Sequence, residues 1–168
     1  MYPRLVSDSS SLILLVKSDM IKYILGKNII VIPKSVYEET VERGRLKGFE
    51  DSFIIERYVK DGRINILEPK EQTKERVEKL CNLHLGERDV ISLAIDNKLK
   101  VLCDDKRGRN ACEVFKLEIF TALNMLDKLF EEKRISKKIA LAILSKLQNH
   151  GWYRGDLIEY VRNKIREV

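Results

Sequence analysis

Short apolar runs alternate along this chain with longer segments of helical period. Arg4 to Ser7 reads as a short strand, and Ser10 to Ile24 as an apolar stretch of helical length. "NIIVI", from Asn28 to Ile32, is a continuous β-branched run suited to a strand buried on both faces, and Pro33 stops it. A helix then starts at Lys34-Ser35-Val36, carries "YEETVERG" and can end at Gly44. Residues 50 to 60 read as helix, Ile64 to Leu67 as strand, and Glu71 to Asn82 as a polar-faced helix. Gly86 opens "GERDVISLAIDN", a mostly apolar helix, before Val101-Leu102-Cys103 returns to strand. After the charged turn come a helix through Phe115, a brief strand at Ile119-Phe120, and helices almost to Val168, broken at "NHGWYRGD". Ser136 reads as an N-cap, with Gly151 and Gly155 as loop punctuation. The alternation predicts an α/β fold with a largely parallel central sheet.

Composition narrows the class. At 168 residues, with 44% hydrophobic and 35% charged positions, the chain suits one folded domain with a charged surface and excludes disorder. No run approaches the roughly 20 apolar residues of a membrane span. Met1-Tyr2-Pro3-Arg4, followed by an apolar run broken at Asp8, lacks the layout of a signal peptide, so a cytoplasmic location is expected. Cys81, Cys103 and Cys112 form no CxxC pair and suggest neither a disulfide framework nor a zinc knuckle. A formal net charge of +6 favours polyanionic partners modestly, since the cations are interleaved with acids.

The candidate chemistry lies in acids at element ends. In an open parallel sheet, ligands gather at the carboxyl ends of the strands. "RLVSD" delivers Asp8 there, and "KVLCDD" delivers Asp104 and Asp105. Glu39 falls in the second turn after Pro33, and Asp89 in the first turn of "GERDVISLA", where a carboxylate suits the helix dipole. Glu87 lies two residues earlier and, on a helical wheel, points closer to the apolar face. Carboxylates converging in a partly desolvated site repel one another unless a cation neutralises them, and Mg²⁺ or Mn²⁺ is the ion such oxygen donors prefer. Ions so held can activate water against a phosphodiester. Each acid also has a plainer reading alone: a loop cap for Asp8, a solvated helix face for Glu39, a dipole partner for Asp89, a helix cap for Asp104 or Asp105. The case rests on their falling together. His84 and His150 are the only histidines, and no Gly-rich phosphate loop is present, so nucleophilic triads, zinc sites and nucleotide cofactors lack material.

Taken in order, "VSDSSSLILL", "VIPKSVYEETV", "GERDVISLAIDNKLKVLCDD" and "KRGRNACEVFKLEIFTALNML" resemble the PIN domain family, most closely its small-domain branch related to VapC-type toxin ribonucleases. Asp8 with Ser10, Pro33-Val36-Glu39, Asp89 with Ala94, and Asp105 match the family pattern; Asp104 competes with Asp105, and Glu87 with Asp89. Cys103 stands where many relatives carry Thr or Ser. The resemblance implies a three-layer α/β/α sandwich with a mostly parallel central sheet, with the core over about residues 4 to 126 and a helical C-terminal extension beyond. It further implies an endoribonuclease that cleaves single-stranded RNA with Mg²⁺ or Mn²⁺ held by Asp8, Glu39, Asp89 and Asp105. Ser10 would orient Asp8 or a water. Lys106, Arg107 and Arg109 would contact RNA phosphates, with bracing of the acids an equal reading for Arg109. A toxin restrained by an antitoxin protein, and a homodimer, are the expected settings. The alternatives are a PIN-like module that binds RNA or protein without cleaving, and a structure-specific DNA nuclease. "NHGWYRGD" carries Trp152 and Tyr153, which are expected to pack as a plug at a helix junction.

Overall fold

The computed structural model describes residues 4–167; Met1 to Pro3, where the signal-peptide expectation begins, and Val168 lie outside the described residues. Among those described, β1 (Arg4–Ser7), β2 (Ile29–Ile32), β3 (Ile64–Ile66), β4 (Lys100–Leu102) and β5 (Ile119–Phe120) form one parallel sheet in the order β3-β2-β1-β4-β5. Val6 of β1 stands between Val31 and Val101. Its neighbours Leu5 and Ser7 are buried with it, as a central strand covered on both faces requires.

The chain steps outward from β1 to β3, then crosses back to β4 and β5. Right-handed crossovers therefore send the two sets of connections to opposite faces. On one side α1 (Ser9–Lys17) packs against α5 (Glu50–Lys60), α9 (Ala122–Glu131) and α10 (Lys137–His150). On the other, α7 (Leu85–Asn97) lies across β1 and β4 beside α6 (Glu71–Leu80) and α8 (Lys106–Val114). The result is an α/β/α sandwich, and the carboxyl ends of β1 and β4 form the point where strand order reverses, the usual crevice for a ligand.

Three expectations need correction. The helix expected over Ser10 to Ile24 is two, α1 and α2 (Ile21–Leu25), because Asp19 takes a left-handed conformation with φ 59°. The helix expected to stop at Gly44 continues: α3 (Lys34–Tyr37) opens into a π-helical stretch (Glu38–Glu42) and closes as α4 (Arg43–Leu46). Gly44 is there for close approach, since a Cβ would lie 2.9 Å from Ser52 Cβ on α5; the turn is made by Gly48, at φ +73°. Trp152 is not a plug, because it stands wholly in solvent.

The C-terminal helices are packed into the body. Ala140, Ile143, Leu144 and Leu147 of α10, with Ile158, Val161 and Ile165 of α11 (Gly155–Glu167), are buried. Lys164 reaches Asp127 at 2.6 Å and Glu131 at 2.8 Å, which ties α11 to α9. No helix among the described residues is long and apolar enough to cross a membrane.

Candidate active site

Asp8 leaves the end of β1 and caps α1. Its Oδ1 accepts from the Ser11 N–H at 2.8 Å and the Ser10 hydroxyl at 3.2 Å, so the helix start fixes the carboxylate's direction. At 8% exposure it is nearly enclosed. Burial pushes its pKa above the ordinary 3.8; hydrogen bonds from the Cys103 thiol and from Ser11 oppose that rise, and the charge of Asp104 adds to it.

Cys103, directly after β4, is buried beside Asp8. Burial, and then the Asp8 charge, raise the thiol well above its ordinary value, so it stays protonated and serves as a donor. A small residue must face it: a Cβ at Gly108 would sit 2.5 Å from Cys103 Sγ.

The two adjacent aspartates part company here. Asp105 caps α8, accepting from the Gly108 N–H at 3.0 Å, and opens toward Asp8 and Glu39. Asp104 turns toward the C-terminal helices. Its carboxylate accepts from the Ala122 N–H at 3.0 and 3.2 Å and from the Tyr153 hydroxyl. Its own N–H donates to Ser11 Oγ at 2.9 Å. Asp104 therefore accepts the first N–H of α9, whose own N-cap is Thr121, and anchors Tyr153, whose hydroxyl is pushed well up in pKa by burial and by the Asp104 charge.

Glu39 lies in the π-helical stretch, where the Thr40 hydroxyl donates to the Val36 carbonyl at 2.7 Å and the helical ladder widens. Its Oε2 accepts from Ser9 Oγ at 2.6 Å and lies near Gly86 at the start of α7.

The α7 acids are also resolved. Glu87 accepts from the His84 N–H at 3.0 Å, capping its own helix, and faces Arg107 Nε at 3.7 Å. Asp89, 4% exposed, accepts from Ser35 Oγ at 2.8 Å and from Arg88 at 3.0 and 3.1 Å, so it links α7 to α3 and is not among the residues lining the crevice. The structure reverses the helical-wheel expectation: Asp89 is the inward residue, and Glu87 lines the open crevice.

Asp8, Ser9, Ser10, Glu39, His84, Gly86, Glu87 and Asp105 together line a crevice of about 300 Å³ at the carboxyl ends of β1 and β4. Among the cations, Arg107 braces Glu87 and also donates to the Asn82 carbonyl at 2.7 Å. Lys106 is exposed on the first turn of α8, and Arg109 is half-buried with its charge reaching the Tyr153 hydroxyl. The bracing role considered for Arg109 thus falls to Arg107.

Among the described residues, no three acid, histidine or cysteine side chains already stand as a ready ligand group for a metal. Each acid is held by a partner of its own. The donor set nonetheless fits a hard divalent ion, being carboxylate oxygen with serine hydroxyls alongside. Glu39 and Glu87 bring the longer side chains, and Asp8 and Asp105 are held at the caps of α1 and α8.

The model of a family described as PIN domain (DUF3368) matches residues 4–167. No curated protein matches the chain.

Proposed function

From the membership of this chain in the PIN domain family, whose model covers nearly its whole length, we propose that it is a metal-dependent endoribonuclease that cleaves single-stranded RNA. The observation that carries the reading is the placement of Asp8, Glu39, Glu87 and Asp105 around one crevice where the strand order reverses. A module that only bound RNA would gain nothing from four like charges lining that crevice, since they repel phosphate.

In this reading Asp8, Glu39, Glu87 and Asp105 hold Mg²⁺ or Mn²⁺, directly or through water, with Glu87 taking the place first assigned to Asp89. The bound ion supplies Lewis acidity that activates water and stabilises the leaving oxygen. The chain's own residues set the stage for that chemistry. The α1 and α8 caps fix Asp8 and Asp105, and Ser10 holds the Asp8 carboxylate by hydrogen bond. Cys103, buried beside Asp8, donates its thiol to the Asp105 carbonyl at 3.6 Å, in the place of the hydroxyl that many relatives carry. Lys106 and Arg107, on the first turn of α8, bind phosphates of the RNA, and Arg107 exchanges its contact with Glu87 to do so.

The test is cleavage of single-stranded RNA with Mn²⁺, with EDTA as control, in wild type and Asp8→Asn. Cleavage that requires metal and vanishes in the variant is the expected result; no cleavage, or cleavage unchanged in the variant, refutes the proposal. The finer role, a VapC-like toxin held by an antitoxin, predicts growth arrest on expression that Asp105→Ala abolishes.

A further inference from the structure

Trp152 is held fully in solvent, at 104% of the reference exposure for its type, an uncommon place for the largest aromatic side chain. Its neighbours on both sides are fixed. The Tyr153 ring folds against Gly151, where a Cβ would lie 2.7 Å from a ring carbon, and its hydroxyl donates to Asp104. Asp104 is in turn tied to the start of α9 and to Ser11, and it adjoins Asp105. The loop between α10 and α11 is therefore pinned to the carboxyl end of β4. Trp152 projects from it one residue, about 3.8 Å of chain, from the anchor.

The margin around this indole is cationic and polar. His150 and Arg154 flank it in sequence, with Arg154 paired to Asp156 at 2.6 Å; Arg109 lies close enough to act on the Tyr153 hydroxyl, and Lys106 is exposed on α8, next to Asp105 in the chain. Leu157 and Tyr160 on α11 are also exposed, but a flat aromatic beside arginines offers an unpaired base a face to stack on and its phosphates a counter-charge.

We propose that Trp152 is a stacking platform for an unpaired base of the single-stranded nucleic acid whose backbone enters the acid-lined crevice. The identity of the ligand rests on the nuclease reading above. The platform binds and registers the strand without touching the reacting bond, so it acts on KM and leaves kcat nearly unchanged.

Trp152 is the only tryptophan in the chain, so intrinsic emission reports this site alone. The full chain in EDTA and low salt is titrated with a single-stranded oligoribonucleotide, with sodium tripolyphosphate as a pure charge control. Saturable quenching by the oligonucleotide and none by tripolyphosphate is expected. Trp152→Ala should bind a fluorescently labelled oligonucleotide about 5- to 150-fold more weakly, and Trp152→Phe should keep most of the affinity. Since the side chain is fully exposed, neither variant threatens the fold. Emission unchanged through the titration overturns the platform even where Mn²⁺-dependent cleavage is present; this is also the result if the indole serves a protein partner. Saturable quenching in a chain that does not cleave supports the platform and overturns the nuclease reading instead.

Discussion

The adjacent pair Asp104-Asp105 allows stability and chemistry to be separated by alanine substitution at each position. Asp104→Ala removes an acceptor from the Ala122 N–H and from the Tyr153 hydroxyl, and Ala122 is fully buried. A hydrogen bond to a charged acceptor contributes about 1.5–3 kcal/mol, and an orphaned buried donor adds its desolvation cost, so a loss of about 3–5 kcal/mol is expected. At roughly 2–4 °C per kcal/mol for a chain of this length, the melting temperature should fall by about 6–20 °C. Asp105→Ala loses one cap contact, from the N–H of the buried Gly108, while Asp105 itself is exposed. That costs about 1 kcal/mol, or about 2–4 °C. Catalysis should rank the other way. Well below either melting point, Asp104→Ala should keep metal-dependent cleavage within about tenfold, while Asp105→Ala should lose about 100-fold or more, a typical cost for deleting one preorganised electrostatic group. Melting curves in EDTA and initial cleavage rates in Mn²⁺ decide the matter. Asp104→Ala abolishing cleavage with a smaller melting shift than Asp105→Ala would falsify the division of labour.

The buried charge of Asp8 gives a second prediction. Asp8→Asn keeps the cap to Ser11 but removes a carboxylate whose burial is unfavourable, so in EDTA at pH 7 the variant should melt above wild type. Because the folded pKa is raised, wild type gains stability as pH falls through that pKa toward the ordinary 3.8, where the unfolded chain protonates too. The gap between the two proteins should therefore narrow on acidification; a variant that melts below wild type at pH 7 refutes the claim. On α7, Glu87→Gln should lose cleavage with little change in melting. Asp89→Asn should lose about 1–3 kcal/mol in a urea titration and still cleave, and the reverse pattern would restore Asp89 to the site. Gly108→Ala forces a methyl against Cys103 Sγ and should cost about 1–3 kcal/mol, most of it recovered in Gly108→Ala with Cys103→Ala; an additive double mutant would show that the contact is not the cause.

Periodicity and punctuation made the sheet legible because the apolar runs within "NIIVI" and "VLC" form strands buried on both faces, and because Asp8 and Asp105 directly follow or closely trail such runs. What failed to show was decided across long stretches of sequence. Gly44 looks like a helix stop, but its role is set by Ser52 on a neighbouring helix. The choice between Asp104 and Asp105 depends on Ala122 and Tyr153, 18 and 49 residues away, and no local signal encodes it. Glu87 could have been found locally. With His84 as the N-cap, Glu87 is the third helical residue, whose carboxylate can fold back to the cap N–H and so stays at the helix mouth. Asp89, 200° further round the wheel at about 100° per residue, must then face α3.

The separate partners of the acids explain how four carboxylates share one crevice in a stable fold. Ser9 holds Glu39, the Gly108 N–H holds Asp105, and His84 with Arg107 holds Glu87. Among the described residues no buried side-chain polar atom is left without a hydrogen bond. Three of the four acids are thus met at or near the surface by local donors, where water screens their mutual repulsion. Asp8 is different, because burial and the Asp104 charge act on it together, and its thiol, hydroxyl and amide donors do not offset them. The fold concentrates the electrostatic cost of the site on the one acid that leaves the central strand, and that is where a cation would relieve most.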